Sequence, residues 1–217
     1  GVGRGDRLRA KDSAVAAHAQ DVATGLGFGE IDVYVSARAP HAMAAEPTSP
    51  VSLVIGQAIA QAPGEGGAAV RFAAGSALAI ARASLAIPAR LPEAELGVLV
   101  VTLLRLFQAE FPQAGLDEGA IATQAQKLRR LIPTGCSNEL RAFALAVDSG
   151  HFRHENLARD LRLAALRAGL VTSGSVVAGL SILAAAEGAD VPGFLANPVA
   201  QGLITWALSE DHASVTR

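Results

Sequence analysis

The stretch Ala68 to Ser84 constrains this chain more than any other. It contains helix formers and no proline, and its apolar residues Val70, Phe72, Leu78 and Ile80, with alanines between them, surround most of a helical cylinder. A helix that is apolar nearly all round has to be covered on several sides, so the spacing predicts a central, buried helix. The rest of the chain must then supply its cover.

Before that helix lie two extended runs. Ile31, Val33 and Val35 alternate with Asp32, Tyr34 and Ser36, the period of two of a half-buried strand, and Pro40 ends the run. Val51 to Ile55 lies between Pro50 and Gly56. The two strands can pair directly or across a crossover. A turn, Pro63-Gly64-Glu65-Gly66-Gly67, leads into the buried helix. An amphipathic helix over Asp6 to Leu26 precedes the strands and stops at Gly25 and Gly27.

Downstream the pattern is helical throughout. Pro88 and Pro92 punctuate the chain, and Glu93 to Phe111 carries a broad apolar face of Leu96, Leu99, Val100, Leu103 and Leu106-Phe107. Asp117 is placed to cap a helix running to about Leu131, which Pro133-Thr134-Gly135 breaks. Further helices are expected from Ser137 to Val147, Glu155 to Gly169, Ser175 to Glu187 and Pro198 to Leu208, the last carrying Trp206. The expected class is mainly α (α+β), a helical domain with a short two-stranded β element near 31–37 and 50–55. No repeat at a period of 20 to 50 residues is present.

Composition bounds the function. At 217 residues the chain is long enough to bury roughly 70% of its unfolded surface as a single domain spanning 1–217. Hydrophobic residues make up 51% against 18% charged, and the formal net charge is −2. Intrinsic disorder does not fit that balance, and neither does a nucleic-acid partner, which needs a basic footprint. Cys136 is the only cysteine, so neither an internal disulfide nor a thiolate zinc cluster is available. That usage suits a reducing, cytoplasmic setting. No apolar run approaches the 18 or so residues a membrane span needs. The opening Gly1-Val2-Gly3 lacks a signal pattern and reads as part of a longer chain.

The order strand, polar loop, strand, turn, buried helix comes with two phrases, Val51-Ser52-Leu53-Val54-Ile55-Gly56 and Val70-Arg71-Phe72-Ala73-Ala74-Gly75-Ser76-Ala77-Leu78-Ala79-Ile80. Together they resemble the catalytic core of gluzincin metallopeptidases of the HtpX and CAAX-prenyl endopeptidase kind. A later phrase, Ala164-Ala165-Leu166-Arg167-Ala168-Gly169-Leu170, is similar to that family's Glu-x-x-Ala-Asp-Arg-x-Gly-Leu segment. The resemblance spans about Ile31 to Leu183. Such enzymes need two histidines one helical turn apart on one zinc, with a glutamate between them as general base. At the matching positions stand Ser76 and Ile80 for the histidines and Ala77 for the glutamate. The third ligand falls on Arg162 and the following aspartate on Leu166. A guanidinium is always charged and has no acceptor, so it repels zinc.

The resemblance therefore implies a metallopeptidase framework whose metal site has been refilled: no catalytic residue, no cofactor and no metal. It further suggests, from related bacterial chains, a place beside helical repeats in a larger protein. The expected function is a non-catalytic protein-interaction or scaffolding domain with an unidentified protein partner. Two other readings stand beside it. One is a hydrolase using His151, His154 and Glu155, the only histidine cluster. The other is a peripheral membrane-binding domain, prompted by a mean hydropathy of +0.34, although no helix joins a basic face to an aromatic apolar one.

Smaller signals have plainer explanations. Gly75-Ser76 reads as a close helix contact and Ser175 as a helix N-cap, since no Gly-x-Ser-x-Gly elbow occurs. Gly25-x-Gly27-x-Gly29 precedes a strand, the wrong context for a dinucleotide site. Arg129-Arg130 and the series Arg153, Arg159, Arg162, Arg167 read as solvated faces, or as a docking surface for an acidic partner.

Overall fold

The computed structural model describes residues 7–62, 67–112 and 115–215. The Arg4-Gly5-Asp6 tripeptide, and residues 63–66 of the turn before the central helix, lie outside the described residues. The chain divides into two compact units, one built from the residues up to Ala89 together with those from Arg162 onward, the other from Arg90–Leu161. The fold is mainly helical, with one small mixed sheet.

The first unit begins with strand β1 (Arg7–Leu8), helix α1 (Ala14–Gly25) and strands β2 (Asp32–Ser36), β3 (Met43–Glu46) and β4 (Ser52–Gly56). The sheet order is β1-β2-β4-β3. The two strands expected from the sequence, β2 and β4, are direct neighbours and run parallel, with Val33 opposite Leu53 and Val35 opposite Ile55. A parallel pair cannot be closed by a hairpin. Here the return passes through β3, which lies antiparallel on the far edge of β4 with Ala45 opposite Leu53. The sheet is thus four strands wide where two were expected. Met43-Ala44-Ala45-Glu46 has neither β-branched residues nor alternation, and β4 imposes its extended form by pairing. Likewise α1 starts eight residues later than Asp6, because Ser13 caps it through Ala16 N (3.4 Å) while Arg7 and Leu8 pair with Tyr34 and Val33.

A short helix α2 (Gln57–Ala60) leads to α3 (Ala68–Arg82), the helix singled out from the sequence. Every residue from Phe72 to Leu78 is buried. Helix α3 packs on β3 and β4 on one side and on α1 on another. The unit is completed by α7 (Leu157–Ser173, from Arg162 onward), α8 (Val176–Ala186), α9 (Val191–Phe194), α10 (Pro198–Ala207) and α11 (Glu210–Val215). Its core gathers Leu53, Ile55, Phe72, Leu78, Leu170, Leu183 and Leu203, all fully buried. Helix α7 runs four residues past Gly169, where the sequence reading stops it. That glycine serves a helix contact and leaves the backbone hydrogen bonds unbroken. Ser175 caps α8 through Ala178 N at 3.1 Å.

The second unit holds α4 (Glu93–Arg105), α5 (Glu118–Leu131) and α6 (Ser137–Ala146) around Val101, Leu104, Phe111, Ile121 and Ala144. Phe111 meets Phe152 edge to face, with ring centroids 5.4 Å apart. Asp117 caps α5 through Ala120 N at 2.5 Å. Among the described residues no helix is long and apolar enough to cross a membrane.

Candidate functional site

The positions that the resemblance would align with a metal site lie where α3 meets α7 in the first unit. Two glycines set the separation. A Cβ on Gly169 would fall 2.2 Å from Ser76 Oγ and 2.7 Å from the Phe72 carbonyl oxygen. A Cβ on Gly75 would fall on the Thr172 side chain. Such distances are far inside van der Waals contact, so the helix backbones approach as only glycine permits. The Thr172 hydroxyl, 3.0 Å from the Arg71 carbonyl of α3 and 3.1 Å from the Gly169 carbonyl of its own helix, donates across this crossing.

Ser76 and Ala77 are each 4% exposed and Leu166 3%, and Ala77 and Leu166 belong to the apolar core. Ser76 Oγ is buried and finds no hydrogen-bond partner among the described residues. Ile80 is half-buried one turn further on. Arg162 turns outward: its guanidinium meets Glu187 at 3.7 Å, with each side chain about half exposed. Small and branched carbon side chains thus occupy the interior, and the one charged member faces water. The chemistry this arrangement offers is packing: a hydroxyl, a methyl and two branched alkyl groups bring neither a lone pair of metal-ligand strength nor a base.

The histidine pair separates. His151 is 89% exposed in a turn, and its Nδ1 sits 2.5 Å from Asp148 Oδ2. That hydrogen bond, with a second from Gly150 N–H at 2.8 Å, holds the Asp148 carboxyl below the usual aspartate range. His154 starts a 3-10 turn ahead of α7, is mostly buried, and places Nδ1 3.2 Å from Glu155 Oε2. Its ring rests on Gly97 of α4, where a Cβ would come within 2.9 Å of Cδ2. The i, i+3 spacing therefore does not put both imidazoles on one helix. Among the described residues no three of His, Cys, Asp and Glu gather closely enough to hold a metal ion.

The other histidines are scattered. His18 Nδ1 accepts from Arg71 Nη2 at 3.2 Å, and that guanidinium also pairs with Asp21 at 3.1 Å. His212 meets Trp206 edge to face at 4.9 Å. The guanidinium of Arg167 lies 5.7 Å over the Trp206 ring, a cation–π contact, while Arg159 pairs with its neighbour Asp160 at 3.3 Å.

Two features escaped the sequence reading. One is an apolar trough of about 690 Å³ in the first unit, bordered by His41, Gln61, Ser181 and the exposed Val177. None of Ser76, Ala77, Ile80, Arg162 or Leu166 lines it. The alanines that hold it open are so common in this chain that they give no local signal. The other is the exposure of Phe143 and Leu145 on α6. Neither a protein-family model, nor a curated protein, nor a solved structure matches the chain.

Proposed function

We propose that this chain is a non-catalytic protein-interaction or scaffolding domain, working in the cytoplasm and built on a gluzincin-like framework whose metal site has been filled by packing. The observation that carries the reading is the crossing of α3 and α7. The helices that would have to present zinc ligands are pressed together at Gly75 and Gly169, with Ser76, Ala77 and Leu166 buried between their neighbours. An imidazole needs a metal about 2.0–2.1 Å from its nitrogen and open volume for substrate beyond that. The crossing supplies neither. The rival hydrolase reading gains nothing from the geometry, since His151 and His154 take separate partners.

The test is a proteolysis assay on the full chain against an unfolded protein and a degenerate peptide library, with and without added zinc and chelator. The reading expects no cleavage above buffer in any condition. Zinc-dependent, chelator-sensitive cleavage by the purified full chain would overturn it.

A further inference from the structure

The trough in the first unit is concave over an apolar floor. Ile59 of α2, Ala69 of α3 and Ile182 of α8 form that floor and are buried, and the volume of about 690 Å³ falls within the roughly 300–1,000 Å³ of small-molecule sites. One wall is α8, whose Val177, Ser181 and Ala185 recur at one-turn spacing and are all exposed. A solvated helix face ordinarily carries charge, yet Val176–Ala186 has none. The facing wall is α2, continued by Gln61 and Ala62.

The rim is fixed in place, and part of its polar equipment is unused. Two backbone bonds fasten the turn that carries His41: Ala58 N–H donates to the Pro40 carbonyl at 2.9 Å, and Gly56 N–H to the Ala42 carbonyl at 2.8 Å. Gly56 permits that approach, since a Cβ there would fall on the Pro40 carbonyl. Ser173 and Ser175 also reach the trough, but their hydroxyls are engaged: Ser173 donates to the Leu170 carbonyl at 3.2 Å, and Ser175 accepts from Ala178 N–H at 3.1 Å. The side chains of His41, Gln61 and Ser181 make no hydrogen bond among the described residues. An imidazole, an amide and a hydroxyl are left to meet an incoming group.

The lining selects the ligand. Among the described residues it holds no Asp, Glu, Lys or Arg, so neither a carboxylate nor an ammonium head finds a counter-charge there. It also holds no Phe, Tyr or Trp, and Val177 is its one large exposed apolar side chain, whereas protein partners are anchored by aromatic, Met and Arg contacts. We propose that this trough binds a small uncharged molecule with an aliphatic chain and a hydrogen-bonding head. The chain lies over Ile59, Ala69 and Ile182, and the head meets His41, Gln61 or Ser181. Ser76, Ala77 and Leu166 of the α3–α7 crossing take no part.

The test titrates the full chain, methyl-labelled at isoleucine, with hexan-1-ol, hexanoate and hexylammonium and follows it by NMR. Hexan-1-ol is expected to shift the Ile59 and Ile182 methyl resonances saturably, and octan-1-ol to bind roughly tenfold more tightly for its two added methylenes. The two ions should bind about tenfold more weakly than the alcohol of equal length. Ser181→Lys, at an exposed helical position, should reverse the order in favour of hexanoate, and Ala58→Leu, which narrows the trough from the facing wall, should weaken hexan-1-ol by about tenfold. Unchanged Trp206 fluorescence and circular dichroism keep loss of folding out of both results. No saturable shift, an equal shift at Ile121 of the other unit, or equal binding of alcohol and ions overturns the proposal. Self-association of the chain that Ser181→Lys abolishes overturns it in favour of a second copy. Failure here leaves the non-catalytic reading standing, because only cleavage or bound zinc sinks that.

Discussion

Replacing Gly169 by alanine tests the helix crossing with a single methyl group. In an exposed helix interior this change adds about 1 kcal/mol of stability, because alanine loses less backbone freedom than glycine. At this position the new Cβ would lie 2.2 Å from Ser76 Oγ, 2.7 Å from the Phe72 carbonyl oxygen and 3.0 Å from Phe72 Cδ2. A serine hydroxyl can rotate, but a main-chain carbonyl inside a helix cannot, so α7 has to move away from α3. Overpacking of this kind costs about 1–3 kcal/mol. Set against the propensity gain, the net loss should be about 0–2 kcal/mol, or up to roughly 8 °C in Tm for a unit of this size.

The only tryptophan, Trp206, lies on α10 in the same unit, so its fluorescence in urea follows the relevant transition even where the two units unfold separately. Gly202→Ala is the control, since its Cβ would meet only Leu163 methyls at 3.4 and 3.6 Å, and it should stabilise. Adding Ser76→Ala to Gly169→Ala removes the nearest obstacle but not the carbonyl, and should recover about half the loss. Ser76→Ala alone should be neutral or stabilising, because its buried hydroxyl has no partner to lose. A Gly169→Ala protein as stable as Gly202→Ala would refute the close crossing.

Three other outcomes follow from the same contacts. Thr172→Val should lower stability by about 1 kcal/mol in urea titration, through loss of the bond to the Arg71 carbonyl, and Thr172→Ser should lose less. Arg162→Ala removes a half-exposed pair with Glu187 and should cost under about 1 kcal/mol, with the remainder screened away by salt. The Asp148 carboxyl is held low by His151 and by Gly150 N–H, so its bonds are intact above the ordinary aspartate range and are lost as pH falls through the lowered folded value. The Gly150 amide resonance should titrate below that ordinary range in the native protein, and the acidic step should vanish in Asp148→Asn.

Much of the fold was legible because its signals are local. The all-apolar character of Ala68 to Ser84 forecast a central helix, and Asp117 and Ser175 cap α5 and α8 by the side-chain rule that selects them. What escaped is what pairing decides. Nothing in Met43-Ala44-Ala45-Glu46 marks a strand, and nothing in Arg7-Leu8 separates it from the start of a helix; both become extended only because β4 and β2 offer open edges. The sequence also placed Gly169 as a helix stop, whereas packing against α3 turns it into a contact point within a continuous helix. At the candidate site the residue types could be read, but their depth could not. That Leu166 is buried while Arg162, one turn earlier, faces water depends on where α7 meets its neighbours.

The most direct measurement of the central claim is metal content. The full chain, equilibrated with zinc and then dialysed free of loosely held ions, is analysed by mass spectrometry for metal per polypeptide. The account predicts that zinc remains far below one ion per chain, because Ser76, Ala77 and Leu166 fill the α3–α7 crossing and, among the described residues, no three of His, Cys, Asp and Glu gather to hold an ion. Retention of about one zinc per chain would contradict it.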